Sequence, residues 1–266
     1  MKSGFLEFNN TKFYYEMDGN GMPLVFVHAG IADSRMWNDQ FHIFAEKYQT
    51  IRYDRRGFGK TKMVAGDFSL HGDLHGLLKA LDIKQAILVG CSQGGKTVTN
   101  FTLEHPEMVK ALVLVGSALG GFEFNGESPK QEEELEKADE AGDMERVNEL
   151  ELQIWVDGQG RTPEQVAPKV RELVKDMNWI ALQTPLDLGN EIPLEPAAAN
   201  RLAEIKVPTL VVIGDLDTAW CQAAAEHLAK NIPNAKKVTM NGVAHLPNME
   251  KAEEFNVHVM EFLGGI

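Results

Sequence analysis

The sequence predicts an α/β protein built on a mostly parallel, eight-stranded sheet that is flanked by helices, with a helical insertion. Three observations predict this fold class. Short apolar runs alternate with amphipathic helical stretches along most of the chain. The later apolar runs are continuous, which is typical of strands covered on both faces. The alternation then stops over residues 121–200, where helical patterns dominate and no strand is predicted.

Eight apolar or alternating runs have the length of strands. The first two alternate apolar and polar residues, and Asn9-Asn10 between them favours an antiparallel hairpin. The predicted strands are Gly4–Phe8, Phe13–Glu16, Leu24–His28, Thr50–Tyr53, Ala86–Gly90, Ala111–Gly116, Thr209–Gly214 and Lys237–Met240.

Helical periodicity lies between these strands and within the insertion. The strand rhythm resumes at Val207-Pro208, after a return segment that begins at Arg201. We therefore predict a core domain of residues 1–120 and 201–266, interrupted by a helical cap (lid) at residues 121–200. The predicted helices are Trp37–Tyr48, Leu70–Leu81, Gly94–His105, Leu135–Gln153, Pro163–Leu182, Cys221–Asn231 and Ala252–Leu263.

Composition excludes several classes of protein. A formal net charge of −13 argues against a nucleic-acid partner, because phosphate binding needs clustered Lys and Arg. The two cysteines, Cys91 and Cys221, provide no disulfide framework. The amino terminus has no long apolar segment, and no apolar run approaches the length of about 18 residues that a membrane span requires. We expect a soluble cytoplasmic protein with no membrane partner.

Residues 90–97 read Gly-Cys-Ser-Gln-Gly-Gly-Lys-Thr and follow the predicted strand Ala86–Gly90. The G-x-S-x-G pattern is typical of a sharp strand-to-helix turn that presents a nucleophilic serine, here Ser92. The same residues fit G-x-x-x-x-G-K-[ST], a phosphate-binding loop in which Lys96 and Thr97 are the working residues. Both motifs require a strand that runs into a helix, so the local sequence does not decide between them.

The rest of the chain favours the serine. A serine nucleophile needs a histidine base and an acid that orients it, in the chain order Ser, Asp or Glu, His. The loop after Thr209–Gly214 supplies Asp217, with Asp215 as the alternative acid. His245 follows the last strand, in a loop ahead of the final helix. The sequence therefore predicts a catalytic triad of Ser92, Asp217 and His245.

Acyl transfer also needs an oxyanion hole of two backbone amides. The residue after the serine, Gln93, supplies the first amide. The loop after Leu24–His28 is expected to supply the second, which we assign to Gly30. His28 itself is expected to be structural, because it would shape this loop.

These motifs together resemble the α/β-hydrolase superfamily over nearly the full chain. Within it, the chain looks most like the small bacterial esterases and enol-lactonases with a helical cap. The resemblance implies the same roles for the triad and oxyanion residues, and serine at position 92 argues against members with an aspartate nucleophile. Two departures are Ala29, where the family usually has Gly, and Cys91, where His is more usual. The matching segments are His28-Ala29-Gly30 with Trp37, Asp54–Gly59, Gly90–Gly95, Gly214–Asp217 and His245-Leu246-Pro247.

Two interpretations with a ligand other than an ester find less support. A phosphate-binding loop normally follows an early strand, whereas four strands precede this one, and it leaves His245 without a role. His71 and His75 have the i, i+4 spacing of a metal-binding pair, with Asp73 between them. No third distant ligand is evident, so a solvated start of a helix is the better explanation. No cofactor and no metal are expected.

The sequence thus predicts a serine hydrolase that cleaves a small carboxylic ester or lactone through an acyl-enzyme on Ser92. Trp155 is the candidate substrate-binding residue in the cap, because ligand sites favour junctions between domains. Two alternatives stay open. The same triad could serve carbon–carbon bond hydrolysis, perhydrolysis or a lyase reaction. The fold could also be a ligand-binding receptor with vestigial hydrolase activity, docking a partner through its acidic cap.

Overall fold

Ten strands are present in the computed structural model, which describes residues 1–185 and 188–266. Eight of these form one sheet, in the order β1-β2-β4-β3-β6-β7-β9-β10 as defined below. Among the described residues, β2 pairs antiparallel with β1 and β4, and the other pairs of this sheet are parallel. The predicted mostly parallel eight-stranded sheet with flanking helices is confirmed. The strands are β1 (Lys2–Phe8), β2 (Thr11–Asp18), β3 (Pro23–Val27), β4 (Gln49–Tyr53), β5 (Gly66–Phe68), β6 (Ala86–Cys91), β7 (Val109–Val115), β8 (Gly189–Glu191), β9 (Thr209–Gly214) and β10 (Ala235–Met240).

The helices of the described residues flank this sheet and fill most of the insertion. A π-helical turn, Gln153–Asp157, continues directly from the fifth helix. None of the helices in the described segments is both long and apolar enough to cross a membrane. The helices are α1 (Asn38–Ala45), α2 (Leu70–Ala80), α3 (Gln93–Glu104), α4 (Glu132–Glu140), α5 (Met144–Leu152), α6 (Pro168–Leu182), α7 (Ala219–Asn231), α8 (Pro247–Glu250) and α9 (Ala252–Gly264).

A hydrophobic core lies on each face of the sheet, which explains the continuous apolar runs. Along β3, Leu24 and Phe26 belong to one core, while Val25 and Val27 belong to the other. Successive strand side chains point to opposite faces, so a strand buried on both sides needs an apolar residue at every position. Residues of α1 and α9 complete the first core, and residues of α2, α3 and α7 complete the second.

The first hairpin forms as predicted. Asn9 and Asn10 have φ angles of 45° and 57°. A two-residue turn with both central residues in the left-handed region matches the twist of antiparallel strands, and asparagine tolerates that region better than most residues.

The insertion differs from the prediction in two respects. We predicted no strand in it, but the three-residue β8 pairs in parallel with β5 as a separate two-stranded sheet. The predicted single helix Leu135–Gln153 is instead two helices, because Gly142 adopts a φ of 69° and Asp143 caps α5 by accepting from the Arg146 N–H. Residues 186 and 187 of the predicted cap lie outside the described part of the chain, and the cap boundaries remain a prediction.

Asp73 in α2 is a further correction. We expected a solvated helix start here, yet Asp73 is only 2% exposed. Its two carboxylate oxygens accept from Nε and Nη2 of Arg56, both at 2.8 Å, and the Asn9 amide donates to one of them at 3.0 Å. The pair joins the β4–β5 loop to α2 and to the first hairpin. The Asp73 carboxylate is therefore already neutralised by Arg56.

Replacing Arg56 by methionine is expected to lower the free energy of unfolding by about 3–5 kcal/mol, because Asp73 would stay buried without its partner. Urea denaturation followed by circular dichroism measures this difference. The matched control is Lys84→Met, which breaks the exposed ion pair with Asp82 and is expected to leave stability unchanged. An Arg56→Met variant as stable as the wild type would contradict this prediction.

The parallel strands place the predicted site residues at one edge of the sheet. β3, β6, β9 and β10 run in the same direction, so the loops that follow them all leave from their carboxyl ends. These loops contain Gly30, Ser92, Asp217 and His245 respectively. The carboxyl edge of a parallel sheet is where α/β proteins bind their ligands.

Candidate active site

Ser92 is the single residue between β6 and α3, and its backbone is strained. Its φ and ψ angles are 53° and −118°, a backbone region that residues other than glycine rarely adopt. A Cβ added to Gly90 would collide with the Gly94 backbone, and one added to Gly94 would collide with the Val27 carbonyl. Such close backbone approach explains both glycines of the motif. Ser92 therefore sits on a sharp turn at the amino terminus of a 12-residue helix.

Asp217 and His245 form a buried hydrogen-bonded pair. His245 Nδ1 lies 2.8 Å from Asp217 Oδ2, and the two residues are 2% and 1% exposed. The backbone N–H of Thr218 donates to the other carboxylate oxygen at 2.7 Å, which fixes the orientation of the carboxylate. Asp215, the alternative acid, is exposed and accepts from the Gly242 N–H. The geometry therefore favours Asp217 over Asp215 as the partner of His245.

The surroundings of His245 change its proton affinity. Burial disfavours the charged imidazolium, but the Asp217 carboxylate, its hydrogen bond and the nearby Cys221 sulfur oppose burial more strongly, so the pKa of His245 is raised. Gly116 lies against the same pair, with a φ of 47°. A Cβ there would lie 3.0 Å from Nδ1 of His245 and 3.2 Å from Oδ2 of Asp217. Only glycine leaves this pair undisturbed.

Both cysteines lie beside His245, and the sequence analysis did not predict this placement. Cys221 Sγ is 3.7 Å from His245 Nδ1, and Cys91 Sγ is 3.8 Å from the His245 carbonyl oxygen. Cys221 follows Asp217 by four residues at the start of α7, and this spacing is the signal that could have revealed it. The contact of Cys91 brings the turn that carries Ser92 against the loop that carries His245.

The two predicted oxyanion residues are in contact. A Cβ added to Gly30 would lie 3.0 Å from the Gln93 side-chain Cδ. Ala29, the departure from the family pattern, is fully buried in the core that contains Met36, and its N–H contacts Met36 Sδ at 3.3 Å. The Gly30 loop therefore packs directly on the beginning of α3.

His28 shapes this loop, as expected. Its Nδ1 is 2.8 Å from the Ala29 carbonyl oxygen, and its Nε2 accepts the Arg55 backbone N–H at 2.9 Å. Burial and the neighbouring Arg55 guanidinium hold the pKa of His28 well below its usual value. The imidazole is therefore neutral, with its proton on Nδ1.

Comparison with known proteins identifies the family. The alpha/beta hydrolase fold family matches residues 22–252, which include Gly30, Ser92, Asp217 and His245. The chain is an α/β hydrolase. The sequence-based resemblance to this superfamily is thus confirmed, and with it the assignment to hydrolases.

Similar proteins cover nearly the whole hydrolase. A 2-hydroxy-6-oxo-6-phenylhexa-2,4-dienoate hydrolase of Comamonas testosteroni is 28% identical over 94% of this chain and 90% of its own. A pimeloyl-[acyl-carrier protein] methyl ester esterase of Legionella pneumophila is 27% identical over 92% of this chain and 96% of its own. The crystal structure of an enol-lactonase from Burkholderia xenovorans LB400 superposes with a TM-score of 0.80 at 24% identity, covering 98% of this chain and 100% of that one. The last likeness shows the fold alone.

Trp155 and Gln159, which lie in the predicted insertion, contact the Asp217–His245 pair and its loops. The Trp155 ring centroid is 4.7 Å from that of His245, and the His245 N–H donates to the Trp155 carbonyl at 3.3 Å. The Gln159 N–H donates to the Leu216 carbonyl at 2.9 Å, and its side chain donates to the Asp217 carbonyl at 2.8 Å. The segment after α5 is therefore hydrogen-bonded to both loops that carry the Asp–His pair.

Arg161 adds a second connection between the insertion and the His245 loop. Its guanidinium donates to the Val156 and Asp157 carbonyls and pairs with Glu250 at 2.7 Å. The other oxygen of Glu250 accepts the Ala244 N–H, also at 2.7 Å. The backbone beside His245 is thus tied to the end of the π-helical turn.

A cavity of about 270 Å³ lies between the insertion and the amino terminus of α7. Ile154, Gln159 and Thr218 are among its walls, but its described lining includes neither Ser92 nor His245.

The residues of the alternative phosphate-binding loop have other contacts. Lys96 Nζ pairs with Glu191 at 2.8 Å, and the Thr97 hydroxyl donates to the Gln93 carbonyl within α3 at 2.8 Å. They serve as ordinary residues of the first turns of α3, which agrees with the membership of the hydrolase family.

Proposed function

We propose that this α/β hydrolase is a serine esterase or lactonase that cleaves a small carboxylic ester through an acyl-enzyme on Ser92. The observation that carries the proposal is the buried Asp217–His245 hydrogen bond of 2.8 Å beside the strained turn at Ser92. A base oriented by an acid is what a serine hydroxyl needs to become a nucleophile.

In the first half of the reaction, Ser92 Oγ attacks the substrate carbonyl carbon while His245 Nε2 takes the hydroxyl proton. The Gly30 and Gln93 amides donate to the oxyanion that forms. The bond between the carbonyl carbon and the alcohol oxygen then breaks, and His245 returns the proton to the departing alcohol. Asp217 keeps Nδ1 protonated and stabilises the imidazolium while it exists.

In the second half, His245 removes a proton from water, which attacks the acyl carbon. The bond between that carbon and Ser92 Oγ then breaks, His245 returns the proton to Oγ, and the acid is released. Side chains, backbone amides and water supply every group that these steps need. In the proposed enzyme, residues 121–200 form the cap over the site, and Trp155 is the cap residue that lies against the bound substrate. Its ring position beside His245 supports this role.

A second candidate is hydrolysis of a carbon–carbon bond by the same residues. It is favoured by the full-length similarity to the Comamonas testosteroni enzyme, whose named substrate is a ketone and contains no ester. A panel of p-nitrophenyl esters, lactones and β-diketones separates the two reactions by turnover. Higher kcat/KM on the diketones would replace the ester proposal by the second candidate.

Covalent labelling tests the proposed nucleophile. A fluorophosphonate is expected to add once to the wild-type protein, and peptide mass spectrometry is expected to place the adduct on Ser92. Ser117→Ala is the matched control, because Ser117 is a buried serine close to Gly95 that has no proposed role. An adduct on another residue, or no adduct on the folded protein, would overturn the proposal.

A further inference from the structure

The Ala29 carbonyl oxygen accepts two buried hydrogen bonds at the predicted oxyanion hole. His28 Nδ1 lies 2.8 Å from it, and Arg55 Nη2 lies 3.0 Å from it. A carbonyl oxygen has two lone pairs, so both acceptor positions are occupied. The orientation of this one peptide group is therefore fixed by two side chains.

The same peptide group contains the N–H of Gly30. A peptide unit is planar and trans, so its C=O and N–H point in opposite directions. Fixing the Ala29 carbonyl thus fixes the direction of the Gly30 N–H. Hydrogen bonds to the carbonyl also polarise the amide and make its N–H a stronger donor.

Arg55 also contacts the residue that carries the other amide. Its Nη1 donates to Gln93 Oε1 at 3.1 Å, and the Gln93 side chain packs against Gly30. One guanidinium therefore connects the Gly30 loop with the start of α3, the two segments whose amides form the proposed oxyanion hole.

No acidic side chain of the described residues forms an ion pair with Arg55, in contrast to its neighbour Arg56. Arg55 is 1% exposed, no carboxylate oxygen of a described residue lies within ion-pair distance of it, and its Nε has no hydrogen-bond partner among them. Its guanidinium stacks over Phe58 at 4.6 Å. Burial lowers the pKa of Arg55 to about 10, so it stays charged at neutral pH. Arg56, the next residue, is instead neutralised by Asp73.

We propose that Arg55 is a positioning residue of the oxyanion hole. Its guanidinium holds the Ala29–Gly30 peptide and the Gln93 side chain in place. It also places a positive charge that no described carboxylate neutralises behind the developing oxyanion. The inference rests on the proposed function, since it needs an oxyanion to form beside Ser92. A buried charge without a counter-ion costs stability, and such a cost is common where a site is preorganised for an absent charge.

The test compares Arg55→Met with Arg55→Lys on the best ester substrate. Methionine keeps an apolar chain and removes every donor, so kcat is expected to fall about 10- to 100-fold while KM changes less than about threefold. Lysine keeps the charge but not the two-armed geometry, and is expected to have an intermediate kcat. A trifluoromethyl ketone, which forms a tetrahedral oxyanion on serine, is expected to lose affinity in Arg55→Met, whereas the matching methyl ketone is not.

Arg56→Met is the matched control for disruption of the loop. It is expected to be less stable but to keep wild-type kcat at a temperature where it is folded. The inference is overturned if folded Arg55→Met keeps kcat, if its loss lies in KM alone, or if Arg56→Met loses kcat equally. If Arg55→Met does not fold, Arg55→Lys decides, and a wild-type kcat there rejects the role. Absence of Ser92 labelling in the wild-type protein would instead mark failure of the proposed function.

Discussion

Replacing Ser92 by alanine is expected to reduce ester turnover by about 10⁴- to 10⁶-fold, because the proposed acyl-enzyme forms on the serine hydroxyl oxygen. Steady-state kinetics with the best ester substrate measure the loss, and mass spectrometry is expected to show no fluorophosphonate adduct. The melting temperature is expected to change little, since the Ser92 side chain makes no capping hydrogen bond to α3.

The matched control is again Ser117→Ala, which is expected to retain both turnover and labelling. Retained hydrolysis in the Ser92→Ala protein, after contaminating esterase activity has been excluded by its resistance to the probe, would refute Ser92 as the nucleophile. It would leave the family assignment untouched, because that depends on residues 22–252 as a whole.

Replacing Asp217 by asparagine is expected to lower kcat by about 10⁴-fold. The amide can donate to Nδ1 and thereby stabilise the wrong tautomer of His245. Asp215→Asn is the matched control, because Asp215 is exposed and contacts the Gly242 N–H instead of the histidine. Equal losses in the two variants would contradict the assignment of Asp217 as the acid.

The pH profile provides a second measurement on the same variant. His245 must be neutral to act as a base, and its raised pKa means that kcat/KM rises with pH up to that pKa. Loss of the Asp217 charge removes the main effect that raises the pKa. The acid limb of the residual kcat/KM is therefore expected to move to lower pH in Asp217→Asn. A limb that moves to higher pH would contradict the attribution of the raised His245 pKa to the Asp217 charge.

The sequence was most informative where burial dictates composition. β9 was predicted at Thr209–Gly214 without error, because a strand buried on both faces must be apolar at every position. β8 was missed because the strand, Gly189–Glu191, is only three residues long and mostly exposed, so its sequence shows no apolar pattern. Asp73 was misjudged because its burial depends on Arg56, which lies 17 residues away and meets it only in the folded chain.

The same distinction, between patterns visible in the sequence and contacts that form only on folding, applies to the candidate site. The chain order of Ser92, Asp217 and His245 follows from the topology of the sheet, so it could be predicted. The role proposed for Arg55 could not be predicted. The sequence around an arginine that follows a strand does not show whether its charge is paired with a carboxylate in the folded protein. That pairing depends on which side chains surround it in three dimensions.

The hydrogen bonds that join Gln159 and Trp155 to the loops of Asp217 and His245 have a consequence for how the specificity of this enzyme could be changed. The segment that would select substrates in the proposed enzyme also holds His245, the proposed base, in place. Replacing this segment by the lid of another hydrolase would therefore remove hydrogen bonds that position the His245 imidazole. Single substitutions that keep these hydrogen bonds are a more accessible way to change substrate selectivity.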